Sequence, residues 1–189
     1  MGTRDVMVAG AARLLAERGL QATSFSEVLE ATGAPRGSIY HHFPEGKDQL
    51  VAAAIGAAGD RAVGFLDAYE GRPAHEIAEG FLGLWREVLV RSEFRAGCAV
   101  LAVTVATDSP GLLDQAAGIF RRWRGRLAEL FESTGLDAEA ATRLASALVA
   151  SSEGAVVMSR AEQSLEPFDL VAAHLLEGID HPVPASSRE

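Results

Sequence analysis

This sequence has little of what stabilises small secreted proteins or crosses a membrane. Its 189 residues include a single cysteine, Cys98, so the chain cannot form an internal disulfide. Its apolar stretches, such as 96–106, are much shorter than the roughly 20 residues that span a bilayer, and the N-terminus has no signal-peptide core. We therefore expect a cytoplasmic protein without a membrane partner. The apolar surroundings of Cys98 favour a buried structural thiol over a redox sensor.

Positive charge is also scarce. The formal net charge is -9, and the only lysine is Lys47. Even residues 1–50 contain five basic and six acidic side chains. Because nonspecific affinity for nucleic acid comes from neutralising phosphates with Lys and Arg, the composition excludes a protein that coats nucleic acid by charge alone. Any such contact must depend on where a few groups are placed.

What the chain does contain is helical periodicity. Hydrophobic residues make up 48% of it, as in globular proteins, and no stretch alternates β-branched with polar residues as a strand would. We therefore predict an all-α fold. The predicted helices span about 4–18, 25–32, 35–43, 47–69, 74–91, 99–107, 110–133, 138–163 and 167–179.

The second and third helices are short and closely joined. Ser24 and Glu27 have the spacing of a capping box, Gly33 can supply a left-handed turn, and Pro35 is tolerated in a first helical turn. This pattern predicts a helix-turn-helix. In such motifs the second helix enters the major groove of DNA with its first turn nearest the bases.

The residue types of this segment suit a DNA reader. The Arg36 guanidinium can bind guanine through two hydrogen bonds, and Gly37 allows a close backbone approach. Tyr40 and His42 can reach the sugar-phosphate backbone, as can Lys47 at the start of the next helix. The predicted DNA-binding residues are Thr23, Ser24, Pro35, Arg36, Gly37, Ser38, Tyr40, His41, His42 and Lys47.

The run from Gly37 to Phe43, Gly-Ser-Ile-Tyr-His-His-Phe, followed by Lys47, resembles the signature of the TetR family of transcriptional regulators. The resemblance covers about residues 7–50. It implies a homodimer that binds double-stranded operator DNA in consecutive major grooves and is released when a small-molecule effector binds the C-terminal domain. It also implies that Arg36 and Ser38 lie near bases. The residues that it places on phosphates are Thr23, Tyr40, His42 and Lys47.

Two departures from the common pattern point to a subgroup. Pro35 replaces the usual capping Ser or Thr, and residues 44–46 carry one residue more than the commonest spacing before the lysine. Both features resemble the LmrA/YxaF-like repressors. We therefore expect a DNA-binding domain at 1–46, a ligand-binding and dimerisation domain at 47–180 and a flexible tail at 181–189. The expected function is ligand-responsive repression, with a lipophilic or aromatic effector.

The larger domain carries weaker signals. Sparse aromatic side chains on helical faces could converge on a ligand pocket, although plain core packing is the alternative. The candidate pocket residues are Phe65, Phe81, Trp85, Cys98, Val103, Phe120, Trp123 and Met158. The last two helices are rich in aliphatic residues and, by resemblance, would pair with their twins. The candidate dimer residues are Leu144, Leu148, Ala155, Leu170 and Leu175.

Other functions have less support in the sequence. No nucleophile elbow or phosphate-binding glycine loop is present, so we predict no enzyme and no cofactor. His75 with Glu79, and His174 with Glu177, supply only two possible metal ligands each, so no metal is predicted. The arginines of 121–126 favour an ion-paired face over an anion site. An architectural DNA binder, or an activator without effector-driven release, remains the alternative.

Overall fold

A computed structural model of the chain describes residues 2–180, and over that range it confirms the predicted all-α fold. These residues form nine helices and no strand. The predicted tail at 181–189 lies outside the described residues. The helices are α1 (Thr3–Arg18), α2 (Phe25–Thr32), α3 (Arg36–His42), α4 (Lys47–Asp67), α5 (Ala74–Arg91), α6 (Ala99–Thr104), α7 (Pro110–Ser133), α8 (Ala138–Glu162) and α9 (Glu166–Asp180).

The predicted helix ends differ most from the structure where the chain tightens into a turn. α4 ends at Asp67 instead of Tyr69, because the amide of Tyr69 donates to the Leu66 carbonyl at 2.9 Å and so forms a tighter turn than an α-helix does. α6 ends at Thr104 and not near Thr107. There, two successive amides, at 106 and 107, donate to the same carbonyl, that of residue 103.

The N-terminus of α2 shows half of the predicted capping box. The Ser24 hydroxyl accepts a hydrogen bond from the Glu27 amide at 3.2 Å, as expected for an N-cap. The Glu27 carboxylate does not return the bond, because it pairs with Arg18 at 3.0 Å. The other end agrees with the prediction: Gly33 ends α2 with a φ of 67°, and its amide donates to the carbonyl of Leu29.

α1, α2 and α3 share one small core. Val28, Ile39 and Phe43 are at most 1% exposed, and the apolar face of α1 covers them. α1 and α2 cross so closely that a Cβ at Gly10 would lie 2.3 Å from Cγ2 of Thr32. This packing fixes the inner side of α3 and leaves its other side facing outward.

α4 continues from this small core into the larger helical body, where α7 holds it. The Trp123 indole donates to the Gly59 carbonyl at 3.1 Å, and the Gln115 amide donates to the Ala52 carbonyl at 2.6 Å. The helices touch at Gly59, where a Cβ would lie 2.8 Å from Cγ2 of Ile119. A displacement of α7 would therefore move α4, which begins beside the helix-turn-helix.

α8 and α9 form one side of the body. Asp137 caps α8 by accepting from the Ala140 amide at 2.9 Å, and the Ser159 hydroxyl accepts from the Phe168 amide at 3.1 Å, which anchors the start of α9. α8 packs against α5, α7 and α9. Among residues 2–180, no helix combines the length and the hydropathy that a membrane span requires.

Candidate nucleic-acid interface and ligand cavity

The outer face of α3 is the candidate DNA-binding surface. Arg36, Gly37 and His41 are exposed, and Tyr40 is 67% exposed with its ring edge-on to Phe25 at 5.6 Å between centroids. A Cβ at Gly37 would meet no atom within 4 Å, so packing within the chain does not require glycine there. The backbone at Gly37 can therefore approach a DNA groove closely, with the Arg36 guanidinium and the Tyr40 hydroxyl beside it.

The neighbouring predicted residues differ in how free they are. The Ser38 hydroxyl donates to the Pro35 carbonyl at 2.6 Å, which holds the first turn of α3 and leaves only the oxygen lone pairs for DNA. Pro35 itself is exposed. Ser24 is half-buried and uses its oxygen as the cap of α2. His42 is half-buried, with its ring 5.2 Å from the ring of His41.

Thr23 does not lie where the sequence predicts. Its side chain is only 1% exposed, and its hydroxyl donates to the Gly19 carbonyl at 2.9 Å. In this structure it therefore braces the connection between α1 and α2 and presents no hydroxyl to a phosphate. The threonine was placed on DNA by resemblance alone, and no local pattern in the sequence shows that the side chain turns inward.

Lys47 is half-buried at the start of α4. Its ammonium donates to the Leu20 carbonyl at 2.8 Å, which ties α4 to the end of α1. An ammonium group has three donors, so two remain for a phosphate. The structure thus adds a positioning contact to the role predicted for this lysine.

A cavity of about 450 Å³ lies between α1, α4, α5, α7 and the loop that joins α5 to α6. Four of the predicted pocket residues line it: Phe65, Trp85, Cys98 and Trp123. The two indoles meet edge to face with centroids 6.2 Å apart. The Trp85 Nε1 atom is buried without a hydrogen-bond partner in residues 2–180, so the cavity has an unused donor in its wall.

The other four predicted pocket residues are not in this cavity. Phe81 and Val103 are at most 1% exposed in the core and line none of the cavities described, so plain core packing is correct for them. Phe120 and Met158 border a separate groove between α7 and α8. Phe120 and Trp123 lie three residues apart on α7 with ring centroids 5.5 Å apart, yet Trp123 lines the first cavity and Phe120 lines the groove.

The predicted dimer residues differ in how far they are exposed. Leu148 and Ala155 are at most 1% exposed inside one chain, so they cannot form an interface, and their inclusion is wrong. Leu144 and Leu175 are half-buried against the core, whereas Leu170 is 66% exposed. The exposed side of α8 also carries small and apolar residues outside the candidate dimer set. They are Ala147, Ala150, Gly154, Val157, Met158 and Ala161.

Arg160 joins the two domains and was not predicted. From α8, its Nη2 atom donates to the Arg95 carbonyl at 2.7 Å and to the Glu17 carbonyl at 3.2 Å. The same loop between α5 and α6 binds α1 directly, because the Gly97 amide donates to the Ala16 carbonyl at 2.9 Å. Nothing in the sequence marks this arginine, since its partners are backbone carbonyls far away in the chain.

Several of the charged groups that suggested weak alternatives have partners. His75 binds Asp180 at 2.9 Å, and no group of three metal-ligating side chains occurs within residues 2–180. In the arginine cluster, Arg122 pairs with Asp60 at 3.1 Å and Arg126 with Asp67 at 2.8 Å, as expected for an ion-paired face.

Comparisons with known proteins cover both parts of the chain. Residues 7–54 match a family model described as bacterial regulatory proteins, tetR family, and residues 73–174 match the C-terminal domain of LmrA/YxaF-like transcriptional regulators. An uncharacterized HTH-type transcriptional regulator of Mycobacterium tuberculosis H37Rv is 36% identical over 99% of each chain. The HTH-type transcriptional regulator LmrA of Bacillus subtilis is 25% identical, covering 88% of this chain and 90% of its own.

A solved structure agrees with the fold. The crystal structure of a TetR transcriptional regulator from Chloroflexus aurantiacus matches with a TM-score of 0.78 and 28% identity. The match covers 95% of this chain and 94% of the other, so it includes the helix-turn-helix and the larger helical body together.

Proposed function

Because this chain belongs to the TetR family of transcriptional regulators, in the branch with an LmrA/YxaF-like C-terminal domain, we propose that it is a ligand-responsive repressor that binds palindromic operator DNA as a homodimer. The observation that carries the proposal is the outer face of α3. There Arg36, Gly37 and Tyr40 are exposed together on a helix whose other side is fixed in the core. Within residues 2–180, Arg36 has no carboxylate partner and packing does not require glycine at Gly37.

On DNA, Arg36 reads base edges and the surrounding groups hold phosphates. Arg36 has no carboxylate partner in the described part of the chain, so its donors are available for the two acceptors of guanine. Tyr40, His42 and Lys47 set the position of the helix on the backbone. Since the chain as a whole is acidic, affinity depends on these few contacts and on binding two half-sites at once.

The dimer forms through α8 and α9. The exposed side of α8 carries alanine and glycine, which allow two helices to approach closely, and Leu170 of α9 is exposed as well. An apolar face of this kind is unusual on a monomer and typical of a homodimer interface. The arrangement leaves the α3 helices of the two copies free to occupy successive major grooves.

The effector occupies the cavity of about 450 Å³ and acts on α1 and α4. Its aromatic wall and the unused Trp85 N–H suit a small aromatic molecule with a hydrogen-bond acceptor. Ala12 and Ala16 of α1 also line the cavity, so a ligand there touches the DNA-binding domain directly. For the ligand to release DNA, it must bind more tightly to the conformation in which the distance between the two α3 helices of the dimer does not match successive major grooves.

Binding of the purified protein to the DNA upstream of its own gene tests the repressor proposal. We expect fluorescence anisotropy to show saturable binding that a shuffled sequence of equal length does not compete away, and that weakens steeply with salt. Equal binding to both sequences would instead indicate an architectural DNA binder. Specific binding that raises transcription in a reconstituted assay would indicate an activator.

A variant of the cavity tests the effector proposal. Trp85→Phe keeps an aromatic ring but removes the buried N–H. We expect it to bind operator DNA as the wild type does, but to need several-fold more of an acceptor-bearing aromatic compound for release. Phe81→Leu, a core change outside the cavity, is the control. Unchanged release by Trp85→Phe would place the effector elsewhere.

A further inference from the structure

Glu153 is a carboxyl group without a partner beside an apolar groove. The groove of about 700 Å³ lies between α6, α7 and α8, and Leu101, Phe120 and Met158 supply much of its lining. Glu153, also in that lining, is 7% exposed, and its two carboxylate oxygens are buried without a hydrogen-bond partner in residues 2–180. Pairing with a ligand requires this side chain to turn its oxygens into the groove. The groove is separate from the cavity at the indoles, since the two share no lining residue.

An unpaired buried carboxylate is costly, because the interior does not replace the hydrogen bonds that water provides. Here burial raises the pKa of Glu153 to about 7, so the group can ionise near neutral pH when a positive charge compensates it. A group of this kind in a cleft is a candidate for ligand recognition. The neighbouring Cys98 thiol is at most a weak donor, so a positively charged donor would stabilise the ionised carboxylate most.

We propose that the α7–α8 groove is a second ligand site, which binds a lipophilic amine through an ion pair between its ammonium group and the Glu153 carboxylate. The apolar part of the amine lies along Leu101 and Val149, and the ring of Phe120 and the thioether of Met158 border the same space. Aromatic and thioether groups interact favourably with an organic cation and its apolar substituents. The indole cavity, by contrast, offers a donor and selects an acceptor.

Two other titratable or charged groups surround Glu153. The Cys98 thiol, at the start of α6, is buried beside it, and burial together with the Glu153 charge raises the pKa of this thiol, so it stays neutral. Arg124 of α7 lines the groove from an exposed position and has no carboxylate partner in the described residues. α5 and α9, which also pack against α8, contribute no residue to the groove. Arg124 thus places one positive charge in the lining of the groove, which disfavours a second cation there.

The groove also adjoins the face proposed for dimerisation. Ala150, Gly154, Val157 and Met158 belong both to its lining and to the exposed side of α8. In the proposed dimer the partner would border the groove and shield a bound amine from water, which strengthens an ion pair. The test below therefore uses the full-length protein in its natural oligomeric state.

A matched pair of probes tests the site by isothermal titration calorimetry. Naphthylmethylamine is charged, whereas naphthylmethanol has the same ring and a neutral group. At about pH 8 we expect the amine to bind at least about tenfold more tightly than the alcohol, and at about pH 5.5, where Glu153 is protonated, we expect this preference to shrink. An equal affinity for the two probes at about pH 8 would overturn the proposal.

Three variants identify the group responsible. Glu153→Gln should abolish the preference for the amine at both pH values and leave the affinity for the alcohol unchanged. Arg124→Gln should strengthen amine binding several-fold, because it removes a like charge from the groove lining. Glu162→Gln, an exposed position on the same helix, is the control and should behave as the wild type. A preference that survives Glu153→Gln would place the amine elsewhere.

Operator binding distinguishes this inference from the proposed repressor function. Glu153→Gln should bind DNA as the wild type does and unfold at an equal or higher temperature, which shows that a lost preference is not a folding defect. Specific DNA binding without any amine preference would refute the second site alone. The converse result, an amine preference without specific DNA binding, would refute the repressor proposal alone.

Discussion

At the scale of single residues, Arg36 and Lys47 are expected to contribute differently to DNA binding. Arg36→Ala should relax sequence preference at one position of each half-site and cost about 1–3 kcal/mol on the preferred DNA only. Lys47→Gln should weaken binding to all sequences alike. It should also reduce the slope of log affinity against log salt concentration by about one, because one phosphate contact is lost. Competition binding at several salt concentrations measures both. If Lys47→Gln changed sequence preference and Arg36→Ala did not, the assignment would be reversed.

The Glu153 carboxyl makes stability depend on pH. Burial raises its pKa from 4.5 to about 7 in the folded protein, so between these values the native state holds a proton that the unfolded chain has lost. Its contribution to stability is therefore complete below about 4.5 and falls as the pH rises through about 7. Glu153→Gln should match the wild type near the acid end and exceed it by up to about 3 kcal/mol above neutrality.

Urea unfolding of both proteins across this pH range measures that difference. Comparing the variant with the wild type cancels the other titrating groups, provided that their surroundings do not change. A wild type that kept a constant difference from the variant at every pH would show that Glu153 does not titrate as the structure indicates.

At the scale of helices, the crossing of α4 and α7 leaves no room for a side chain at Gly59. Gly59→Ala would place a Cβ 2.8 Å from Ile119, so we expect a loss of about 1–3 kcal/mol in the free energy of unfolding. Gly64→Ala on the same helix meets nothing within 4 Å and should stabilise by up to about 1 kcal/mol. Stabilisation at both positions would mean that α4 and α7 are further apart.

Arg160 is the helix-scale link between α8 and the DNA-binding domain. Because it holds the carbonyls of Glu17 and Arg95, Arg160→Gln should loosen the loop between α5 and α6. We expect faster hydrogen exchange at the Gly97 amide, which binds α1, and a lower thermal unfolding temperature. The control is Arg143→Gln, at an exposed arginine of α8 paired only within its own helix. Equal exchange in both variants would contradict this link.

The sequence predicts helices better than it predicts which of their faces meet. Local signals such as the Ser24 cap and the Gly33 turn act within a few residues, so the limits of α2 follow from them directly. Contacts between helices depend on rotation and crossing angle, which no local pattern contains. For this reason helical spacing assigns Phe81 to the cavity although it lies in the core, and the sequence does not identify Arg160 as a link between the domains.

The candidate site shows the same division. The exposure of Arg36 and Tyr40 follows from helical spacing once Ile39 is placed in the core. The inward turn of Thr23 depends on a carbonyl at the end of α1, and the orphan carboxyl of Glu153 depends on how α6 and α7 cover α8. Both required the packed structure.

At the scale of the whole molecule, the exposed face of α8 and α9 is expected to hold two copies together. Leu170→Arg would place a charge in this face, so we expect the protein to become monomeric and to lose most of its operator affinity, since one half-site then binds alone. Glu30→Arg changes an exposed residue of α2, outside α8 and α9, and should leave the dimer intact. Analytical ultracentrifugation distinguishes the two.

The most direct test of a dimeric, sequence-reading regulator is hydroxyl-radical footprinting of the purified protein on the DNA upstream of its own gene. The predicted result is two protected half-sites with related sequences, about one or a few helical turns apart, both of which need a higher protein concentration in Arg36→Ala. Uniform protection along the fragment, or a single half-site occupied by one copy, would contradict the account.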